Sequence, residues 1–368
     1  MGDMQEVLSS FFEDGVLRRG LPAVAYKGWN FWEAECKTVF QYNWVCIGFA
    51  HELKESGDVV PVAIAGKPLL MVRNKNGEIK TFHNICRHRC LTLVNEPKNV
   101  GKLIRCPYHS WAYSLDGRLQ ATPHFGGANE HGHEAFNKKD NGLVPVRTHV
   151  WGDWIFVNMD GNAESFEDYA ATLKARLDGI EWGKVDHVGT LDFGEVPCNW
   201  KFIMENFIEP YHVQFVHRTT TEQPLESHYT FIDGNCMGSA VDLEKEAETA
   251  GSLGVSSRYL ALYPNFILGR YFPDQIGVYL NIPTGPGTMM QKRAIYTTQG
   301  RTLGIGEVDE LKKLWWDVHK EDHAMTKRLQ LGRDSSISED GGVLSPAWED
   351  SVRAFQDLVA RDVVSANL

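Results

Sequence analysis

The sequence predicts an α+β protein in two parts. A small antiparallel β domain covers residues 45–160 and a larger mixed domain covers 161–368, with a helical segment over 1–44 that packs on the larger domain. Three observations predict this. The length allows two domains and a large core. The 45–160 stretch consists of short β-rich runs separated by turn residues. The flanking stretches carry helix-like patterns instead.

In chain order, "NFWEAECKTVFQYNW" (Asn30 to Trp44) reads as an amphipathic helix. β-rich runs then break at Gly66-Lys67-Pro68, at the hairpin pair Asn76-Gly77, at Asp116-Gly117 and at Gly152-Asp153. "ESFEDYAATLKARLDGI" reads as a helix that carries the chain into the second domain. There a polar helix-like segment is expected at 199–217, strands near 228–240 and 260–298, and helix from about 306 onward.

Composition narrows the function classes. A net charge of -11 disfavours nucleic-acid binding, and no apolar run is long enough to span a bilayer. The N-terminal "MGDMQEVLSSFFEDGVLRRG" is acidic and polar, unlike a secretory leader. Seven cysteines with no export signal point to a reducing, cytoplasmic setting, with metal or catalytic roles for the thiols. A small-molecule substrate is expected, with no nucleic-acid or membrane partner.

Four residues stand out by spacing: Cys86 and His88, then Cys106 and His109. Two thiolates and two imidazoles suit zinc, or a [2Fe–2S] cluster with two Cys on one iron and two His on the other. Zinc fingers usually group cysteines in one knuckle and histidines in another. Here each segment supplies one of each, which suits two loops facing each other across two irons. A second constellation lies in "NWKFIMENFIEPYHVQFVH" (Asn199 to His217). Glu209 and His212 are three apart and share a face if the segment is helical. His212 and His217 are five apart, so the helix is locally distorted or His217 lies just past its end. Two histidines and a carboxylate form the facial triad of non-haem Fe(II) oxygenases.

"CRHRC…CPYHSWAYSLDGRL" resembles the cluster loops of Rieske non-haem iron oxygenases, and "ENFIEPYHVQFVH" resembles their iron-binding helix. The resemblance spans essentially the whole chain. It implies a Rieske [2Fe–2S] cluster on Cys86, His88, Cys106 and His109, and mononuclear Fe(II) on His212, His217 and an Asp from "WWDVHKEDHAMTKRLQLG". Asp322 matches that position best, Asp317 competes, and Asp334 lies beyond the helix; His319 and His323 read as polar-face residues. Two positions depart from the family pattern. Cys90 stands where Gly usually follows "CRHR", and Ser110 stands where Gly is frequent. Cys90 is expected to be a packed small residue. Respiratory Rieske proteins carry an extra disulfide between their loops. Tyr108 stands between Pro107 and His109, which leaves Cys90 without an obvious partner and favours the oxygenase type.

The resemblance further implies a head-to-tail homotrimer, O2 as cosubstrate, and electrons from NAD(P)H through a separate reductase or ferredoxin. Glu209 would bridge His109 of one subunit and His212 of the next. Relatives acting on choline, carnitine and glycine betaine commonly carry Glu at this place, as here, whereas many ring dioxygenases carry Asp. The implied activity is hydroxylation or oxidative demethylation of an N-methyl quaternary ammonium compound. The alternative is hydroxylation or O-demethylation of an aromatic acid. Tyr263, Phe266, Tyr271, Phe272 and Tyr279 could face a cation, although strand aromatics more often fill a core. Outside the oxygenase class, an electron-transfer Rieske protein or a zinc-stabilised binding module would share the first constellation.

Overall fold

Turn chemistry sets the register of the smaller unit. Gly77, Gly117 and Gly152 all have positive φ, at +81°, +81° and +59°. Each closes a hairpin that glycine permits at no steric cost. A Cβ at Gly117 would press against the Phe82 ring, so close packing as well as the turn demands glycine there. The structure is a computed structural model that describes residues 4–13, 15–243 and 254–365. Trp44–Ala163 form one compact unit; the chain up to Asn43 and from Glu164 onward forms the other.

In the smaller unit, antiparallel strands run in the order Trp44–Phe49, Trp154–Asn158, Pro145–Trp151, Ile79–His83, Lys67–Arg73, Asp58–Ile64 and Lys98–Asn99. Leu103–Arg105, Ala112–Ser114 and Leu119–Ala121 make a second, three-stranded sheet. A core of Val59, Leu70, Val72, Phe82, Ile104 and Tyr113 lies beneath the two loops that carry the Cys/His pairs.

The larger unit is built on a seven-stranded antiparallel sheet. Its order is Asp186–Val196, Thr288–Thr297, Gln275–Gly285, Phe266–Tyr271, Ser257–Leu262, Cys236–Val241 and His228–Asp233. The strand Asp186–Val196 escaped the sequence reading. Register shifts next to Gly189 and Gly194 interrupt its alternation, so it lacks a period-2 signature. The long helix Ile305–Gly332 covers one sheet face, burying Trp315 and Val318 against Tyr271 and Ile295. The C-terminal helix Asp350–Ser365 buries Val352, Phe355, Val359 and Val363.

Three expected helices prove shorter. The 30–44 helix breaks into Trp29–Lys37 and Val39–Tyr42 at Thr38, whose hydroxyl donates back to the Ala34 carbonyl at 2.8 Å. The segment after Glu164 divides into Phe166–Tyr169 and Ala171–Ala175. The 199–217 segment divides into Trp200–Ile208 and Val213–Val216, and the first of these is mostly buried rather than polar. Its end is dictated by Pro210, which forces Glu209 into an extended conformation (φ -111°, ψ 138°).

Candidate metal centres

The two Cys/His loops have the same backbone design. In the first, the Cys90 N–H donates to the Cys86 carbonyl and the Cys86 N–H to the Leu91 carbonyl; in the second, Ser110 and Cys106 bond likewise, with Trp111 in the place of Leu91. Each loop turns through a left-handed residue, Cys90 and Ser110, both at φ +56°. The thiols of Cys86 and Cys106 are buried and unpaired by any disulfide. His88 is half-buried and His109 exposed, with ring centroids 4.6 Å apart. The Trp111 ring stacks on His88 at 4.9 Å. Two sulfurs inside and two imidazoles at the rim form a polarised donor set, which fits a two-iron cluster with two Cys on one iron and two His on the other. Burial pushes the Cys86 thiol up, Tyr113 opposes this and neighbouring Cys106 adds to it. The Tyr113 hydroxyl accepts from the Arg87 N–H at 2.9 Å and sits 3.3 Å from the Cys86 sulfur, so its proton is free to donate there.

In the larger unit the structure brings His212, His217 and Asp322 together, with one ligand atom from each lying within 4.8 Å of the others. Nε2 of His217 is 3.1 Å and Nε2 of His212 is 3.7 Å from Oδ1 of Asp322. That oxygen is buried and lacks a well-formed hydrogen bond. The other nitrogen of each ring faces a carboxylate: His212 Nδ1 lies 2.5 Å from Glu209 Oε1, and His217 Nδ1 lies 2.7 Å from Glu321 Oε2. A carboxylate only accepts, so both Nδ1 atoms carry a proton and both Nε2 atoms are turned toward Asp322. Burial alone would lower the His217 imidazole, yet Asp322 and Glu321 outweigh it and take it up to about 9. Burial likewise raises Asp322, but His217 and His212 bring it down to about 2. Neighbouring carboxylates thus hold both imidazoles above their ordinary value, and a divalent cation set between Asp322 and the two rings would take over that positive charge. Donor types, orphaned oxygen and charge all fit mononuclear iron.

The chain's course explains the spacing. Glu209 and His212 do not share a helix face, because the helix ends at Ile208. Glu209 instead folds back across the turn, its Oε2 accepting the His212 backbone N–H at 3.1 Å. His217 sits at the end of the next short helix. Asp317 lies elsewhere, ion-paired to Lys313 at 2.7 Å on the exposed side of the long helix. His319 and His323 are buried rather than on a polar face. His319 packs on Tyr279 and Phe193, and His323 Nε2 meets Gln291 Oε1 at 2.5 Å. Cys90 is exposed rather than packed, since its left-handed backbone turns the side chain outward. Glu321 was not singled out from the sequence. Its only signal is adjacency to Asp322, which on a helix need not place both at one site. Tyr113 gave no signal either.

The triad opens into a cavity walled by Phe207, Tyr259, Tyr271, Tyr279 and Trp315. Of the five strand aromatics noted above, only Tyr271 and Tyr279 reach it. Tyr263 bonds Asp362 at 3.0 Å, Phe266 is core, and Phe272 lies under Arg258 and Arg270. Asn206, Glu209 and His212 also line a second cavity of about 670 Å³, with Glu205, Arg328 and Arg333.

Residues 43–132 match the Rieske [2Fe-2S] domain, and residues 166–365 match the ring hydroxylating alpha subunit (catalytic domain). The chain is 28% identical over 327 residues to the carnitine monooxygenase oxygenase subunit of Escherichia coli K12, covering 86% of this chain and 84% of that one. It is 34% identical over 209 residues to the glycine betaine monooxygenase oxygenase subunit of Pseudomonas aeruginosa PAO1, covering 56% and 46%. A crystal structure of a quaternary ammonium Rieske monooxygenase shares the fold, with TM-score 0.80 at 22% identity over 97% of this chain and 98% of that one. A matched catalytic domain spanning more than half the sequence, downstream of a matched Rieske domain, places the chain in the ring-hydroxylating alpha-subunit family, as the oxygenase subunit of a Rieske non-haem iron system.

Proposed function

We propose that this oxygenase hydroxylates an N-methyl group of a small quaternary ammonium compound. The resulting carbinolamine would release formaldehyde, so the net reaction is demethylation. The observation that carries the reading is the convergence of His212, His217 and Asp322 at the wall of a cavity lined by five aromatic rings. Aromatic faces suit a desolvated cation. The names of the carnitine and glycine betaine relatives support the same class of substrate.

In this reading Cys86, His88, Cys106 and His109 hold the cluster, and His212, His217 and Asp322 hold the iron. When bound, the cluster supplies single electrons and the iron supplies O2 activation. Glu209 and Glu321 orient the two imidazoles and keep each proton on Nδ1. The aromatic walls exclude water and position the methyl group. Electrons come from a separate reductase that draws on NAD(P)H. The subunits form a head-to-tail homotrimer in which Glu209 meets His109 of a neighbour. Two features support that role: Glu209 lines the outer cavity as well as the inner one, and its Oε2 keeps a lone pair beyond its bond to the His212 amide.

The test is O2 uptake and formaldehyde release with a surrogate reductase, across trimethylammonium compounds and aromatic acids. Uptake with formaldehyde from a betaine or carnitine-like compound is expected. Uptake with aromatic acids alone would overturn the ammonium reading in favour of ring hydroxylation or O-demethylation.

A further inference from the structure

Arg293 is fully buried on the sheet face behind the cavity. Its Nη1 donates to the Tyr279 hydroxyl at 2.7 Å and its Nη2 to the Tyr271 hydroxyl at 3.4 Å. Its Cζ lies 3.4 Å from the centre of the Trp315 ring, and its Nε has no partner. Among the described residues no carboxylate pairs with it, and the carboxylate nearest in role, Asp322, faces the two histidines.

The site is built for this guanidinium. Arg293 and Tyr279 are cross-strand partners, and Gly277, two residues before Tyr279 on the same strand, is the partner of Gly269 on the adjacent one. A Cβ at Gly277 would collide with the guanidinium, and one at Gly269 would collide with the Tyr271 hydroxyl. Two paired glycines therefore clear the sheet surface for one cation and one phenol. A buried cation with no counter-ion is costly, and cation–π contact with Trp315 recovers only part of that cost.

The hydroxyls complete the picture. Tyr271 and Tyr279 each accept from Arg293, so each has its own O–H proton to give away. Neither proton has an acceptor among the described residues, and both side chains line the cavity beside the triad. Tyr259, by contrast, spends its proton on Gln223 at 2.8 Å.

We propose that Tyr271 and Tyr279, polarised from behind by Arg293, receive a carboxylate of the substrate. The inference rests on the reading of this cavity as the substrate pocket and narrows it: the ammonium substrate is a zwitterion, its anionic end at the two phenols. The carboxylate supplies the missing counter-charge through two charge-assisted hydrogen bonds. Arg293 acts through the tyrosines and is a positioning residue.

Calorimetric titration of the holoprotein with glycine betaine, choline and benzoate tests this. Choline keeps the trimethylammonium group but carries a hydroxyl in place of the carboxylate. Glycine betaine is expected to bind about tenfold tighter than choline, the scale of a charge-assisted hydrogen bond. Tyr271→Phe and Tyr279→Phe keep the rings, so each is expected to weaken glycine betaine by about tenfold and leave choline within about twofold. Arg293→Lys is expected to keep part of the preference and Arg293→Met to lose it. Choline binding as tightly as glycine betaine would overturn the carboxylate site while leaving the ammonium reading intact. Benzoate binding without either ammonium compound would do the reverse. Failure of every carboxylate to bind, or an equal loss of choline and glycine betaine in the Phe variants, also overturns the proposal.

Discussion

Glu321 holds the proton of His217 on Nδ1 at 2.7 Å and is itself held by the Thr220 hydroxyl at 2.7 Å. Removing such a partner frees the ring to rotate and to change tautomer, and typically costs 10–100-fold in metal affinity. Glu321→Ala is therefore expected to lose its mononuclear iron to a chelator at concentrations about 10–100-fold below those the parent requires, with the cluster's visible spectrum unchanged. Asp322→Ala is expected to lack this iron outright, whereas Asp317→Ala, which breaks only an exposed pair with Lys313, is expected to retain it. Iron retention in Asp322→Ala would remove that residue from the ligand set. The other centre has its own single-residue control. Tyr113 offers its proton to the Cys86 sulfur because its oxygen is already engaged by the Arg87 N–H. A hydrogen bond to a ligand sulfur stabilises the more negative, reduced cluster. Tyr113→Phe is expected to lower the midpoint potential, read by redox titration of the visible spectrum; an unchanged potential would show that the hydroxyl bonds only to the backbone.

The twin cluster loops show how an element can be legible and its local cost hidden. Spacing alone revealed two loops with one Cys and one His each. It could not reveal that positions 90 and 110 are left-handed, at φ +56°. A left-handed conformation costs a residue with a Cβ roughly 1–2 kcal/mol, which glycine avoids. Cys90→Gly is thus expected to stabilise the smaller unit by up to about 1 kcal/mol, since the added freedom of the unfolded glycine offsets part of the relief, and denaturant unfolding would measure it. Legibility elsewhere followed the same physics. Hairpins closed by Asn-Gly or Asp-Gly could be read directly, because those residues are needed by the turn itself. The Asp186–Val196 strand could not, because its bulges erase the alternation. The segment bearing Glu209 and His212 misread as one helix because its periodicity runs through Pro210 while its backbone does not. Glu205, one turn earlier, shows what tertiary packing adds. Its Oε1 accepts from the Tyr26 hydroxyl at 2.6 Å and from Gln356 Nε2 at 3.0 Å, tying the site helix to both ends of the chain. Burial raises this carboxyl above its ordinary 4.5, more than its hydrogen bonds and Arg333 lower it. A raised folded value gives stability that is fully present below 4.5 and is lost as pH rises through the folded value. Glu205→Gln keeps an acceptor oxygen for both bonds and does not titrate. Its melting temperature is expected to gain on the parent's between pH 5 and pH 8, and a constant difference would show that the carboxyl does not titrate with unfolding.

At the scale of the whole molecule the question is which cluster feeds which iron. The proposed cluster ligands lie in Trp44–Ala163 and the proposed iron ligands in the other unit, so one chain carries a candidate set of both. Glu209 and His212 form the wall between the inner, aromatic cavity and the outer cavity of about 670 Å³. A carboxylate there is placed to accept from a ring outside its own chain while holding His212 within it, which is what a head-to-tail ring needs. The proposed ring would be a heterologous contact that closes by three-fold rotation. It makes a sharp demand on mixed assemblies. Cys86→Ser removes a cluster ligand and leaves the iron site intact, whereas Asp322→Ala does the opposite. Each alone is expected to be inactive. If the proposed ring forms, then with the two variants dissociated, mixed in equal amounts and reassembled, a productive contact needs an Asp322→Ala subunit presenting its cluster to a Cys86→Ser subunit presenting its iron. In a head-to-tail ring random assortment places that ordered pair at about one contact in four, so about a quarter of the parent's turnover per subunit is expected to return. Transfer within one subunit would return none, because no single chain in the mixture holds both centres. Absence of recovered turnover, with mixed rings shown to form by mass spectrometry, would therefore rule out Glu209 as a bridge between subunits and assign it to orienting His212 alone.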